Sequence, residues 1–181
     1  MKRKVLAGLL TVVMAAGFVA VPGMQTEVKA DDKKLVGVAM PTKDLQRWNQ
    51  DGENMKKSLE DAGYEVDLQY ASNEVATQVS QVENMISNGC DILVIASIDG
   101  SSLGEPLSQA KEAGIPVIAY DRLLMESDAV SYYATFDNYM VGQKQGEYIE
   151  EALNLKEEKG PFNIELVAGA PDDNNAKFFF S

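Results

Sequence analysis

The chain has 181 residues, no histidine, a single cysteine and a formal net charge of −12. The lack of histidine excludes catalytic triads with a histidine base and histidine-ligated metal sites, and one cysteine permits neither an internal disulfide nor a zinc cluster of cysteines. The excess of acidic residues gives a negative field that repels phosphate backbones, so nucleic acid is not expected as a partner.

The first segment, residues 1–30, is predicted to be a secretory signal peptide and not part of the fold. A basic start, MKRK, precedes an apolar stretch of signal length and a VKA sequence suited to cleavage. The stretch is too short and wrongly flanked for a permanent membrane span. Phe18 stands where a lipoprotein signal would carry its lipid-bearing cysteine, so no lipid anchor is expected by this route. The expected location is the periplasm or the extracellular space.

Apolar runs alternate with helical patterns through residues 31–153, which we predict to form one α/β lobe. The predicted strands are residues 35–40, 65–71, 91–96, 115–120 and 130–136. The third and fourth are nearly continuous apolar runs, as in strands covered on both faces. The second alternates, as in a strand nearer the edge of a sheet.

Helical patterns lie between the predicted strands. The predicted helices are approximately residues 45–62, 74–88, 102–114 and 137–153. Gly63, Gly89 and Gly114 follow the first three as stop signals. Gly142 and Gly146 lie on the inner face of the fourth, where they would permit close approach to a sheet. Strand and helix at this short spacing predict a doubly wound parallel sheet with helices on both faces.

The segment after the fourth helix is predicted to leave this lobe. Residues 154–163 are charged and rich in turn residues, and residues 162–170 are predicted to form a further strand. No helix is predicted after that strand, and the aromatic run KFFF would be exposed with nothing to cover it. We therefore interpret residues 154–181 as a hinge crossing and the start of a second lobe that is truncated.

Polar and aromatic side chains follow each predicted strand, at the edge where doubly wound sheets bind their ligands. The candidates, in chain order, are Lys43, Arg47 and Trp48, then residues 97–100, then Asp121 and Arg122, then Asp137 and Asn138, and finally Asp173, Asn174 and Asn175. Carboxylates, amides and guanidinium groups can bridge adjacent hydroxyls, and an aromatic face packs on the C–H face of a sugar ring. The set predicts a carbohydrate site.

Several of these candidates also have a purely structural interpretation. Trp48 lies on the apolar stripe of the first helix and could be a core residue. Arg122 could form a salt bridge with Asp121 or another neighbour, and residues 97–100, with the sequence SIDG, are typical of a turn. Cys90, before an apolar run, is interpreted as a small buried residue and not as a reactive thiol.

The motifs PTK and RW, IDG, YDR and DDNNA, in this order along residues 35–180, resemble the sugar-binding proteins of bacterial ABC importers, in particular the xylose-binding and multiple-monosaccharide-binding type. The resemblance implies the amino-terminal lobe of the periplasmic binding protein-like I fold, with two lobes closing on one sugar about a hinge. Members run to roughly twice the mature length of this chain. It also implies no cofactor, and a monosaccharide and the importer permease as partners. A chemoreceptor or sensor kinase is an alternative partner.

The same resemblance implies roles for individual residues. Lys43 and Arg47 would bond sugar oxygens, and Trp48 would stack on the ring. Asp121 and Arg122 would hold adjacent hydroxyls. From the second lobe, the implied ligands are Asp173 and Asn175, with the choice between Asn174 and Asn175 left open, while residues 97–100 would shape the wall.

Two other classes of function share parts of this pattern. A transcription regulator of the lactose-repressor type has this core fold by family resemblance, but it needs a DNA-binding helix-turn-helix where this chain has its predicted signal peptide. A glycosidase would use paired carboxylates, for which Asp121 and Asp137 could be proposed, but nothing in the sequence sets their separation. A binding protein without enzymatic activity is therefore the preferred hypothesis.

Overall fold

The alternating apolar runs form a five-stranded sheet in the computed structural model, which describes residues 33–171 and 173–179. The strands are β1 (Leu35–Met40), β2 (Glu65–Tyr70), β3 (Ile92–Ile95), β4 (Val117–Tyr120) and β5 (Val130–Ala134). The helices are α1 (Gln46–Asp61), α2 (Val75–Ser87), α3 (Gly104–Glu112), α4 (Asn138–Ala152) and α5 (Asn174–Phe179). The predicted signal peptide lies outside the described residues.

All neighbouring strands of the sheet are parallel, in the order β2-β1-β3-β4-β5. The predicted doubly wound α/β fold is confirmed. The chain moves outward from β1 to β2 on one side and then crosses to β3 on the other. The carboxyl ends of β1 and β3 therefore border the point where the strand order reverses, the usual ligand position of this fold.

Helices cover both faces of the central strands because β1, β3 and β4 are apolar on both sides. One core cluster joins α1, through Trp48, to the side chains of Val36, Val38 and Met40 of β1. The other joins α2 and α3 to the opposite face of β1, β3 and β4. The half-buried residues of β2 confirm its predicted place at the edge.

Local features of the sequence that predicted helix ends and core positions are also confirmed. Gly63 and Gly89 follow α1 and α2 with φ of +95° and +81°, a left-handed backbone that favours glycine. Cys90 is buried in the core cluster that joins α2 and α3 to the sheet. Its burial, with smaller effects from Asp67 and Asp91, raises the pKa of the thiol to about 11, so the group stays protonated and unreactive near neutral pH.

The prediction that the inner face of α4 packs against the sheet is wrong. Gly142 does approach another backbone closely, but a Cβ there would overlap the carbonyl of Phe179 in α5 and not the sheet. Gly146 faces open space, and Ile149 and Leu153 are exposed. The reason is that α4 packs against α5, a short helix that the sequence does not predict.

The predicted strand at residues 162–170 is also wrong for this structure. These residues form no strand and are exposed along their whole length, with Val167 at 88%. A strand requires a neighbouring backbone to complete its hydrogen bonds, and the sheet of the described residues ends at β5. Among the described helices, none is long and apolar enough to cross a membrane.

Candidate functional site

Asp121 lies at the centre of a polar cluster at the carboxyl edge of the sheet. It follows β4 directly and has φ of +61°, an uncommon backbone conformation for a residue other than glycine that costs on the order of 1 kcal/mol. Its N–H donates to the carbonyl of Ala134 in β5 at 2.8 Å. Its own carbonyl accepts from Thr135 Oγ1 at 2.9 Å, from Asn175 Nδ2 at 3.1 Å and from the Tyr133 hydroxyl at 3.2 Å. These bonds hold Asp121 in place.

The buried carboxylate of Asp121 forms an ion pair with the guanidinium of Arg47 at the start of α1. Arg47 Nε also lies 3.5 Å from Asp51 Oδ2, and the Tyr120 hydroxyl donates to the same oxygen at 3.1 Å. Burial lowers the pKa of Arg47, but the hydrogen bond and charge of Asp121 and the charge of Asp51 outweigh it, so the pKa is raised. Burial, reinforced by Asp51, raises the pKa of Tyr120, which remains a donor.

Arg122 connects three segments of the cluster. Its Nη1 donates to the carbonyls of Ser97 at 3.1 Å and Ile98 at 3.2 Å, in the loop after β3, and its Nη2 lies 3.1 Å from Asp173 Oδ2. Arg122 Nε and Ser97 Oγ are buried without a hydrogen-bond partner among the described residues. Buried polar atoms are nearly always bonded, so these two are candidates for contacts with a ligand.

Trp48 is a core residue, as one of its two interpretations expected, and its indole also lies against two cations. Its side chain is only 4% exposed and packs with Val38 and Met40 in the α1 core cluster. The guanidinium carbons of Arg47 and Arg122 lie 4.6 and 5.5 Å from its ring centroid, within the range of cation–π attraction. The indole is therefore a core residue that also supports both cations of the site.

Asn175 brings the segment after α4 into the cluster. Besides bonding the Asp121 carbonyl, its Nδ2 lies 3.5 Å from Asp121 Oδ2, and its Oδ1 accepts from Asn138 Nδ2 at 3.0 Å. Its backbone N–H donates to Asp173 Oδ1 at 2.9 Å. Asn174 lies outside this network, beside Gly100. Of the two asparagines between which the sequence could not choose, Asn175 is the one at Asp121.

Two sequence candidates lie apart from the central network. The Lys43 ammonium is 4.8 Å from the ring centroid of Tyr70, at the end of β2, and within the described residues Lys43 makes no hydrogen bond to Asp121 or Arg122. Asp137 caps α4, since its Oδ1 accepts from the N–H of Met140 at 3.0 Å. This hydrogen bond gives Asp137 a structural role at the start of α4.

The loop of residues 97–100 is held by Gln78, a buried residue that sequence analysis missed. Gln78 Nε2 donates to the Ala96 carbonyl at 2.9 Å, and its Oε1 accepts from the Ile98 N–H at 2.8 Å. Asp99 Oδ1 accepts from the N–H of Ser101, which is the turn predicted for SIDG. The sequence did contain a signal for Gln78, because a polar residue stands on the inner stripe of α2 between Val75 and Val82.

A cleft of about 240 Å³ opens onto this cluster, lined by Arg47, Tyr120, Asp121, Ala134, Thr135 and Phe136. A larger groove of about 520 Å³ runs along the exposed face of α4 and shares Phe136 with the cleft, but its exposed surface is almost entirely apolar. The smaller cleft is the candidate site because charged and hydrogen-bonding groups converge there. The described residues contain no carboxylate or thiol cluster suited to a metal ion.

Comparison with known proteins places residues 36–181 in the family described as "Periplasmic binding protein domain". The multiple sugar-binding periplasmic protein SbpA of Azospirillum brasilense is 52% identical over 93% of this chain and 47% of its own length, and the multiple sugar-binding periplasmic receptor ChvE of Rhizobium radiobacter is 53% identical over 92% and 47%. The chain thus spans about half the length of these curated relatives.

A solved structure supports the same relationship. An ABC transporter solute binding protein from Clostridium phytofermentans, with bound β-D-glucose, is 78% identical with a TM-score of 0.79, over 81% of this chain and 45% of that protein. The resemblance identified from the sequence motifs is confirmed at the level of the family.

Proposed function

Because the chain belongs to the periplasmic binding protein domain family, we propose that it binds a monosaccharide at the carboxyl edge of its sheet, outside the cytoplasm, for delivery to an ABC-type importer. The sugar-binding relatives and the glucose-bound clostridial protein support this proposal. The observation that carries it is the cleft lined by Arg47 and Asp121, which form an ion pair. Arg122, which pairs with Asp173, follows Asp121 directly in the chain. The residues that we propose as sugar contacts are Lys43, Arg47, Trp48, Asp121, Arg122, Asp173 and Asn175.

The arrangement suits hydroxyl groups because its charges are already paired. A sugar hydroxyl both donates and accepts hydrogen bonds, so it can donate to Asp121 while it accepts from Arg47. Neither charge loses its partner when the sugar enters, which avoids the penalty of leaving a buried charge unpaired. Two adjacent hydroxyls could bridge Asp121 and Arg122 in the same way, and Arg122 Nε offers a donor that has no partner in the described residues.

Trp48 and Lys43 would contribute at the margin of the site. The buried indole has only a small exposed part to offer the C–H face of a sugar, so its main contribution is to hold the two guanidinium groups. Lys43 would exchange its contact with the Tyr70 ring for a sugar oxygen.

The proposal is tested by titrating the chain with D-glucose and D-xylose in a calorimeter, with a sugar-free buffer injection as the blank. The same titration is made on this chain joined to the remaining half of the Clostridium phytofermentans protein, whose corresponding half is 78% identical. Saturable one-to-one binding by the joined protein is the expected result, with weaker binding by the chain alone. Absence of monosaccharide binding in both proteins would refute the proposed function.

A further inference from the structure

Asn138 is a buried residue of the polar cluster to which the proposed function assigns no role. It is the first residue of α4 and is 9% exposed. The helix is capped by Asp137 and not by Asn138. The Asn138 amide points instead to α5, where Nδ2 donates to Asn175 Oδ1 at 3.0 Å.

This hydrogen bond and the two Asp121 oxygens together favour one orientation of the Asn175 amide. An asparagine side chain has one oxygen that accepts and one nitrogen that donates. With the oxygen held by Asn138, the nitrogen faces Asp121, 3.1 Å from its carbonyl and 3.5 Å from Oδ2. The reverse orientation would put the Asn175 oxygen against two oxygens of Asp121 and the Asn138 N–H against a nitrogen, so both contacts would become repulsive.

We propose that Asn138 is a positioning residue of the sugar site, which orients the Asn175 amide and thereby the carboxylate of Asp121. This inference rests on the proposed function for its effect on sugar affinity, because Asn138 itself touches Asn175 and acts only through it. Its effect on the orientation of Asn175 is independent of any sugar. The two effects can therefore be measured separately.

The first experiment measures the Asn175 side-chain amide by ¹⁵N–¹H NMR in the chain without sugar. We expect the amide protons, buried and bonded to Asp121, to exchange with water about tenfold faster in Asn138→Ala than in the unsubstituted chain. The matched control is Asn54→Ala, an exposed asparagine on α1. Circular dichroism establishes that each variant is folded. If the exchange of Asn175 is the same in Asn138→Ala and in the control, the inference is wrong.

The second experiment measures glucose affinity in a double-mutant cycle, using this chain joined to the remaining half of the clostridial protein. We expect Asn138→Ala to weaken binding about tenfold, and to have no further effect when Asn175→Ala is already present. Asn138→Asp, which cannot donate when ionised, should weaken binding at least as much. An equal loss from Asn138→Ala in both backgrounds would contradict positioning through Asn175. If the unsubstituted protein binds no glucose, the proposed function fails while the NMR experiment still decides the orientation.

Discussion

At the scale of single residues, the site depends on side chains that each have more than one partner. Arg122 bonds two carbonyls of the loop after β3 and the carboxylate of Asp173, and Trp48 supports both arginines from within the core. The proposed sugar would meet groups whose positions are already fixed, so less conformational entropy would be lost on binding.

Replacing Arg122 with alanine should abolish detectable monosaccharide binding by the joined protein. The substitution removes the donors to the loop of residues 97–100 and leaves Asp173 without its cation. Calorimetric titration with glucose measures the effect. The control is Lys57→Ala, which breaks an exposed pair on α1 and should leave the affinity unchanged. Unchanged affinity in Arg122→Ala would mean that the site is misplaced.

Replacing Trp48 with alanine should reduce the free energy of unfolding by about 3–5 kcal/mol, because a buried aromatic side chain is lost from the α1 core cluster. Urea denaturation measures this loss, and glucose titration should show that binding is abolished as well. Trp48→Phe keeps an aromatic face for the two guanidinium groups and should retain most of the stability. Full stability in Trp48→Ala would contradict the core packing described here.

At the scale of elements, the strand-end loops are positioned by contacts that the sequence shows only indirectly. Within residues 31–153, the alternation of apolar runs predicts five strands and four helices, because hydrophobic burial follows a local period. Gln78 and α5 are different, since their positions are set by partners distant in the sequence. The same holds for Asn138, whose partner Asn175 lies 37 residues away. The sequence therefore predicts which residues gather at the sheet edge, but not their hydrogen-bond network.

Replacing Gln78 with leucine should lower the free energy of unfolding by about 2 kcal/mol, since it leaves the carbonyl of Ala96 and the N–H of Ile98 buried without this partner. Thr77→Ala, on the exposed side of the same helix, is the matched control and should change stability by no more than about 0.5 kcal/mol. Urea denaturation compares the two. Equal stability of both variants would show that Gln78 does not hold the loop.

At the scale of the whole molecule, the described residues contain one complete parallel sheet and an apolar segment outside it. The apolar side chains of Ile164, Leu166 and Val167 lie in this segment and are all exposed. The curated relatives are about twice as long as the part that this chain matches. The sequence predicts a strand at residues 162–170 because its local pattern is that of a strand, but the pairing partner that would form it is not among the described residues.

Joining this chain to the remaining half of the clostridial protein should therefore protect residues 162–170 from hydrogen exchange. We expect amide exchange in this segment to slow at least tenfold in the joined protein, because strand pairing and burial both restrict exchange. Mass spectrometry of peptides from the two proteins measures the difference. The amides of β1, already buried in the chain alone, are the internal reference. Unchanged exchange in the segment would contradict the expectation that it is ordered by a pairing partner in the joined protein.

The three donors on the Asp121 carbonyl also impose a sequence of events on a polypeptide that emerges from its amino terminus. Tyr133 and Thr135 follow that carbonyl within 14 residues, whereas Asn175 comes 54 residues later. During synthesis or export, the Asp121 carbonyl therefore lacks one of its three donors until Asn175 has been added. A polypeptide that has paired its five strands but not reached Asn175 would thus hold Asp121 by fewer contacts than the longer chain does.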